Sequence, residues 1–182
     1  MSKHYSKLVE RKIKSKKIYS GVIDFKEDTV SLINGKTATR AYIGHPGASA
    51  ILPILGDSVV LVEQYRYPVK SVFLEIPAGK KKKGQTPLAV AKAELAEETG
   101  YRAKKFTKLI TFAPSSAFSD EFLHIYLAQQ LVPGKTNFDE DEFLNTKIIP
   151  LKKAYKMIEK GEIADSKTII ALLYYKSYCE TC

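Results

Sequence analysis

With 182 residues, 45% of them hydrophobic, the chain can build one domain of ordinary size with a small appended sheet, and it leaves little room for two. Its formal net charge of +9 favours an anionic partner, whether a nucleotide, a nucleic acid or an acidic surface. No apolar run approaches the about 18 to 20 residues of a membrane span, and the basic residues 1–20 lack the apolar core of a signal peptide. A cytoplasmic protein with no membrane partner is therefore expected.

Residues 17–25 read as a strand, and residues 29–33 and 37–43 flank Asn34-Gly35, a strong hairpin signal. Together they predict a small antiparallel unit over residues 1–46. Residues 48–55 and 58–67 are β-rich runs split by Gly56-Asp57, which predicts a second hairpin, and residues 72–76 lead directly into a loop at Gly79. A helix follows, and beyond it residues 106–112, 122–128 and 144–149 carry β-branched and aromatic strand formers. Residues 150–160 and 165–178 read as helices, the second with Asp165 as N-cap and Ile169, Leu172 and Leu173 as its buried face. The order predicts an α+β chain, an α/β/α sandwich over residues 47–182 behind the N-terminal β unit. Cys179 and Cys182 form a single CxxC at the C-terminus, read as free thiols in the absence of a second ligand pair. His4, His45 and His124 share no local pattern and are not assigned to a metal; His124 reads as a packed or hydrogen-bonded strand residue.

The helix after Gly79 is the most informative element. Thr86 is placed to cap it, Pro87 to occupy its first position and Gly100 to supply the left-handed end, so the helix should run over residues 87–99. Leu88, Ala91 and Leu95 make a narrow apolar stripe that can pack on a sheet. Glu94, Glu97 and Glu98 crowd its last turns, where like charges repel and carboxylates oppose the negative end of the helix dipole. A solvated acidic face is the bland reading. Only Lys92 lies close enough to offset the charge, since Lys80 to Lys83 precede the helix. A hard divalent cation, Mg²⁺ or Mn²⁺, would neutralise the cluster through oxygen ligands.

Gly79, Glu94, Leu95, Glu97, Glu98, Gly100 and Tyr101 match, in register, the box of the Nudix hydrolases, which the chain resembles over nearly its whole length. The box Glu is replaced by Gln85 and the box Arg by Ala93. In the family those two support the loop and helix through a mutual ion pair, so their joint loss reads as changed scaffolding that leaves the metal-type glutamates in place. LEIPAGK before and within the box, and EQYRY at residues 63–67, resemble the branch that hydrolyses ADP-ribose and nucleoside diphosphate sugars.

That resemblance implies metal ligation by the carbonyl of Ala78 and by Glu94 and Glu98, with Glu97 assisting. Arg66 is then a phosphate or ribose contact, its structural alternative being an ion pair with Glu63 or another acid. Arg40 resembles an arginine that reaches the neighbouring subunit's nucleotide, which implies a homodimer, and Tyr19 or Phe25 could stack on adenine or simply pack. Ser119 to Glu121 resembles a second acidic element, with Glu121 at the substrate, although Ser116-Ala117 stands where relatives often carry Pro-Gly. The acidic segment NFDEDEF resembles the loop that delivers the catalytic base, for which Glu142 is chosen and Glu140 held in reserve. Asp165 and Lys167 resemble an Asp-x-Lys marker of nucleoside diphosphate sugar hydrolases.

The implied activity is metal-dependent cleavage of the diphosphate in ADP-ribose and related sugars. Alternatives are a catalytically weak Nudix module that senses nucleotides and an RNA-cap or nucleoside triphosphate hydrolase. A purely nucleic-acid-binding protein fits less well, because no recognition motif accompanies the basic charge.

Overall fold

Burial along β4 (Ala48–Leu55) sets the layers of the larger part of the molecule. Ala50 and Leu52 are fully buried on one face of this strand and Ile51 on the other, so the strand is apolar throughout because both faces are covered. The computed structural model describes residues 8–21, 23–134 and 143–178. It divides into two compact units: the described residues up to His45 together with Ser115–Glu121, and the described remainder from Pro46.

The first unit is a three-stranded antiparallel sheet in the order β1 (Arg11–Ser20), β2 (Asp24–Ser31), β3 (Thr37–Gly44). The single strand expected over residues 17–25 is instead the end of β1, a turn and the start of β2. Ser20 Oγ donates to Asp24 Oδ1 at 2.8 Å and Lys17 pairs with Asp24 at 2.8 Å, so polar side chains tie this turn inside a run that reads as continuous strand. The Asn34-Gly35 hairpin forms as expected. Gly35 takes φ of 82°, and Asn34 Oδ1 accepts from the Lys36 amide at 3.0 Å.

In the second unit the strand order is β10-β5-β4-β9-β8, with β6 paired to β5 and β7 to β4. The members are β5 (Ser58–Arg66), β6 (Ser71–Glu75), β7 (Ala78–Lys80), β8 (Tyr101–Phe112), β9 (Leu123–Pro133) and β10 (Asn145–Pro150). β4 and β9 run parallel while the other pairs are antiparallel, giving a mixed sheet. The expected β4–β5 hairpin is present, and β7 is a short strand where only a loop was foreseen.

Helix α1 (Pro87–Thr99) packs on the Ile51 face through Ala91 and Leu95, against Tyr126 and Ala128. Its ends are those expected from the sequence: Thr86 Oγ1 accepts from the Ala89 amide at 3.2 Å, and Gly100 takes φ of 71°. Helices α2 (Leu151–Glu159) and α3 (Ser166–Tyr178) cover the opposite face, where Ala154, Ala171 and Leu172 meet Leu52, Leu61 and Ile125. The α/β/α sandwich is thus observed. Each large aliphatic side chain buried here contributes about 1.5–3 kcal/mol. The buried face of α3 is Thr168, Ala171 and Leu172, and Leu173 is 43% exposed, contrary to expectation. Leu173 lies one helical step off that i, i+3, i+4 stripe and so turns towards solvent. No described helix is long and apolar enough to cross a membrane.

Candidate active site

The acidic helix brings Glu94 directly onto β7. A Cβ added at Gly79 would overlap the Glu94 carboxyl, so the glycine lets that side chain lie directly on the β7 backbone. The ladder between β7 and β4 then fixes Ala78. Ile51 N–H donates to Pro77 O at 2.9 Å and Lys81 N–H to Gly47 O at 2.9 Å, which makes Ala78↔Ala50 a pair that does not exchange hydrogen bonds. The Ala78 carbonyl therefore points away from β4. Glu98 is buried to 3% exposure one turn along the helix from Glu94. Beside them, Ser49 is fully buried in register with Gly79 and His124, and among the described residues its Oγ is the buried side-chain polar atom left without a partner.

These features fit a hard cation: two carboxylates on one helix edge, a carbonyl on the facing strand and an unsatisfied hydroxyl close by. No group of three or more His, Cys, Asp or Glu side chains converges among the described residues. Glu97 lines a cavity with Lys92 and Arg102 on the flank of the same helix. Glu140 and Glu142 lie outside the described residues, as do His4, Cys179 and Cys182.

The replaced box positions have a local explanation. Gln85 Oε1 accepts from the Lys82 amide at 2.9 Å while the Gln85 amide donates to Lys82 O at 3.1 Å, so the loop closes on itself without a partner at position 93.

Arg66 sits at the end of β5 and is engaged by a residue to which the sequence reading gave no role. Its Nε donates to Glu75 Oε1 at 2.7 Å and its Nη2 to Oε2 at 2.6 Å, a bidentate fork. Glu63, the other acid considered, pairs with Lys147 at 3.2 Å. Lys167 also donates to Glu75 and pairs with Asp165 at 3.1 Å. Asp165 Oδ2 caps α3 by accepting from the Thr168 amide at 2.9 Å and from Thr168 Oγ1 at 2.6 Å, and that hydroxyl accepts from the Ile76 amide at 2.8 Å. Burial pushes the Glu75 carboxyl up, but the Arg66 fork and Lys167 outweigh it and hold it below the usual carboxylate range. The same fork strengthens the Arg66 cation. Arg66 and Asp165 also line a pocket of about 260 Å³ with Pro68, Val69 and Phe73. A signal for Glu75 was available: it is the lone carboxylate in the apolar run Val72 to Ile76, and a charge buried in such a run needs cations.

The remaining site candidates belong to the N-terminal unit. Arg40 Nε donates to Glu10 at 2.9 Å. His45 Nδ1 stands 3.6 Å from Glu121, and Asp120 Oδ1 accepts from the His45 amide at 2.6 Å. Tyr19 and Phe25 are 60% and 40% exposed. In the larger unit His124 Nδ1 is 2.8 Å from Thr111 Oγ1, the hydrogen-bonded strand residue expected, and burial with nearby Lys108 and Lys81 pushes its pKa down.

The mixed sheet lies between helical layers, with the Glu94 carboxyl against Gly79 of a facing strand and Glu98 one turn further along the helix. The NUDIX domain matches residues 44–172, and the chain belongs to that family. It is 42% identical over 171 residues to the ADP-ribose pyrophosphatase of Bacillus subtilis (strain 168), covering 92% of each chain. It is 43% identical over 169 residues to the methanol dehydrogenase activator of Bacillus methanolicus, covering 91% of each. A crystal structure of an ADP compounds hydrolase superposes with a TM-score of 0.84 over 94% of this chain and 95% of that one; at 21% identity the likeness speaks for the fold.

Proposed function

We propose that the protein hydrolyses the diphosphate of ADP-ribose and related nucleoside diphosphate sugars to a nucleoside monophosphate and a sugar phosphate. The observation that carries this reading is the Glu94 carboxyl seated on Gly79, beside an Ala78 carbonyl turned away from the sheet ladder. Mg²⁺, or Mn²⁺ in its stead, would be held by the Ala78 carbonyl, Glu94 and Glu98 with Glu97 assisting. Bound there, it supplies charge stabilisation at the phosphoryl oxygens and a more acidic water.

In this reading Glu142 orients the attacking water and takes its proton, with Glu140 as the reserve base. Arg66, fixed by Glu75 through one edge of its guanidinium, offers the other edge to a phosphate or ribose, and its 42% side-chain exposure supports that use. Asp165 and Lys167 contribute to sugar recognition in the larger unit, whereas Arg40 and Glu121 are substrate contacts offered by the N-terminal unit. The substrate class is supported by 42% identity to an ADP-ribose pyrophosphatase.

The reading includes a cytoplasmic homodimer. Exposed Ile13, Ile18, Tyr19 and Phe25 on the three-stranded sheet support a second copy as their cover. The similarity to a methanol dehydrogenase activator favours a second reading, in which the protein raises the activity of a methanol dehydrogenase. Purified protein with Mg²⁺, a panel of nucleoside diphosphate sugars and phosphatase-coupled phosphate release tests the first reading. Release no greater than that of Glu98→Gln on every substrate would sink it. A methanol dehydrogenase assay with and without the protein tests the second.

A further inference from the structure

Helix α1 and strand β8 border an open cavity of about 520 Å³ on the flank of the acidic helix, lined by Ala93, Ala96 and Phe106 and by exposed Lys92, Glu97 and Arg102. Its size follows from the sequence, since alanines at 93 and 96 stand on the helix side, the first where the box pattern has an arginine. The volume falls within the about 300–1,000 Å³ of small-molecule sites.

Charge then selects the ligand. Neither Lys92 nor Arg102 makes an ion pair with a described carboxylate. Lys92 is instead held with its Nζ 4.9 Å from the centre of the Phe106 ring, which keeps the ammonium at the cavity. Two cations without carboxylate partners at one cavity suit a phosphate. A bare phosphate would leave most of the volume to water and would bring no donor to Glu97. A ligand that also carries a diol or an amine can donate to the exposed Glu97 carboxylate, and an apolar body covers Ala93 and Ala96.

We propose that this cavity binds a nucleoside monophosphate, with its phosphate on Lys92 and Arg102, its ribose hydroxyls donating to Glu97 and its base along the alanine floor. Binding there needs no metal and does not rest on the hydrolytic reading. It would hold the α1 edge that carries Glu97, so the ligand is positioned to act as an effector of the helix that also presents Glu94 and Glu98.

The test is calorimetric titration of the full chain in EDTA with AMP, adenosine and ribose 5-phosphate. The variants are Ala93→Leu, which fills part of the cavity without adding charge, Arg102→Gln, and Lys147→Gln as a control outside it. Circular dichroism of each variant verifies folding, and the two independent cavity variants guard against one that does not fold. AMP should bind the parent chain and Lys147→Gln alike and about ten-fold more weakly in both cavity variants, with adenosine and ribose 5-phosphate each weaker than AMP. Failure of AMP to bind in EDTA, affinities within about two-fold across the cavity variants, or equal binding of ribose 5-phosphate would overturn the proposal. Because turnover is not read, the result is independent of whether the chain hydrolyses ADP-ribose.

Discussion

Replacing Glu75 by alanine should be among the most damaging single changes in the larger unit. The carboxyl has a side-chain exposure of 3% and accepts the two Arg66 hydrogen bonds and one from Lys167. Truncation leaves the Lys167 ammonium, 12% exposed, with only Asp165 at 3.1 Å, whereas Arg66 at 42% exposure can turn to water. Breaking a buried pair costs about 3–5 kcal/mol, and the half-exposed arginine argues for the lower end, about 3 kcal/mol. For a chain of this size that lowers Tm by about 6–12 °C. Thermal unfolding by circular dichroism at neutral pH measures it. Arg66→Ala should cost clearly less, because Glu75 keeps Lys167 and loses only the more exposed partner. A Glu75→Ala loss below about 1 kcal/mol, or an Arg66→Ala loss as large as that of Glu75→Ala, would refute the reasoning.

The pH dependence of the same network follows from the depressed Glu75 pKa: its stabilisation is complete above the unfolded value of about 4.3 and is lost as pH falls through the folded value. The Tm gap between the parent chain and Glu75→Gln should therefore narrow as pH falls below about 4.3, and a constant gap would contradict it. Thr86→Ala removes the cap of α1 and should cost about 1 kcal/mol in unfolding experiments while leaving substrate preference unchanged. Gly79→Ala displaces the Glu94 carboxyl without requiring an unusual backbone, and the Mg²⁺ concentration for half-maximal hydrolysis should rise about 10–100-fold. Glu142→Gln should lower kcat by about 10²–10⁴-fold with KM little changed, and a comparable loss in Glu140→Gln alone would move the base to Glu140.

Helix α1 was legible to the residue because its information is local: a Thr cap, a Pro at the first turn, a Gly at the end and a stripe at helical spacing all agree. The strands of the larger unit other than the short β7 were legible in type and approximate extent for the same reason. The boundary between β1 and β2 was not, because every residue of β1 is exposed and no alternation of burial marks its phase; the Ser20–Asp24 contact is visible only once its side chains meet.

At the candidate site, Glu94 and Gly79 were recognisable as members of one pattern, yet their contact is a tertiary fact. Glu75 went unassigned because its partner Lys167 is 92 positions away and arrives on the far-face helix α3. The consequence of Gln85 was half legible: losing the ion pair could be read from the sequence, but the self-closing Lys82 turn that replaces it could not. Exposure of Leu173 reflects the same limit, since an apolar run does not say which of its members a neighbouring sheet will cover.

The central claim is tested most directly by identifying the products formed from ADP-ribose and Mg²⁺ in heavy-oxygen water by mass spectrometry. The account predicts AMP and ribose 5-phosphate, one of them carrying the heavy oxygen, and their loss in Glu98→Gln. Intact ADP-ribose, or products cleaved anywhere other than the diphosphate, would contradict it.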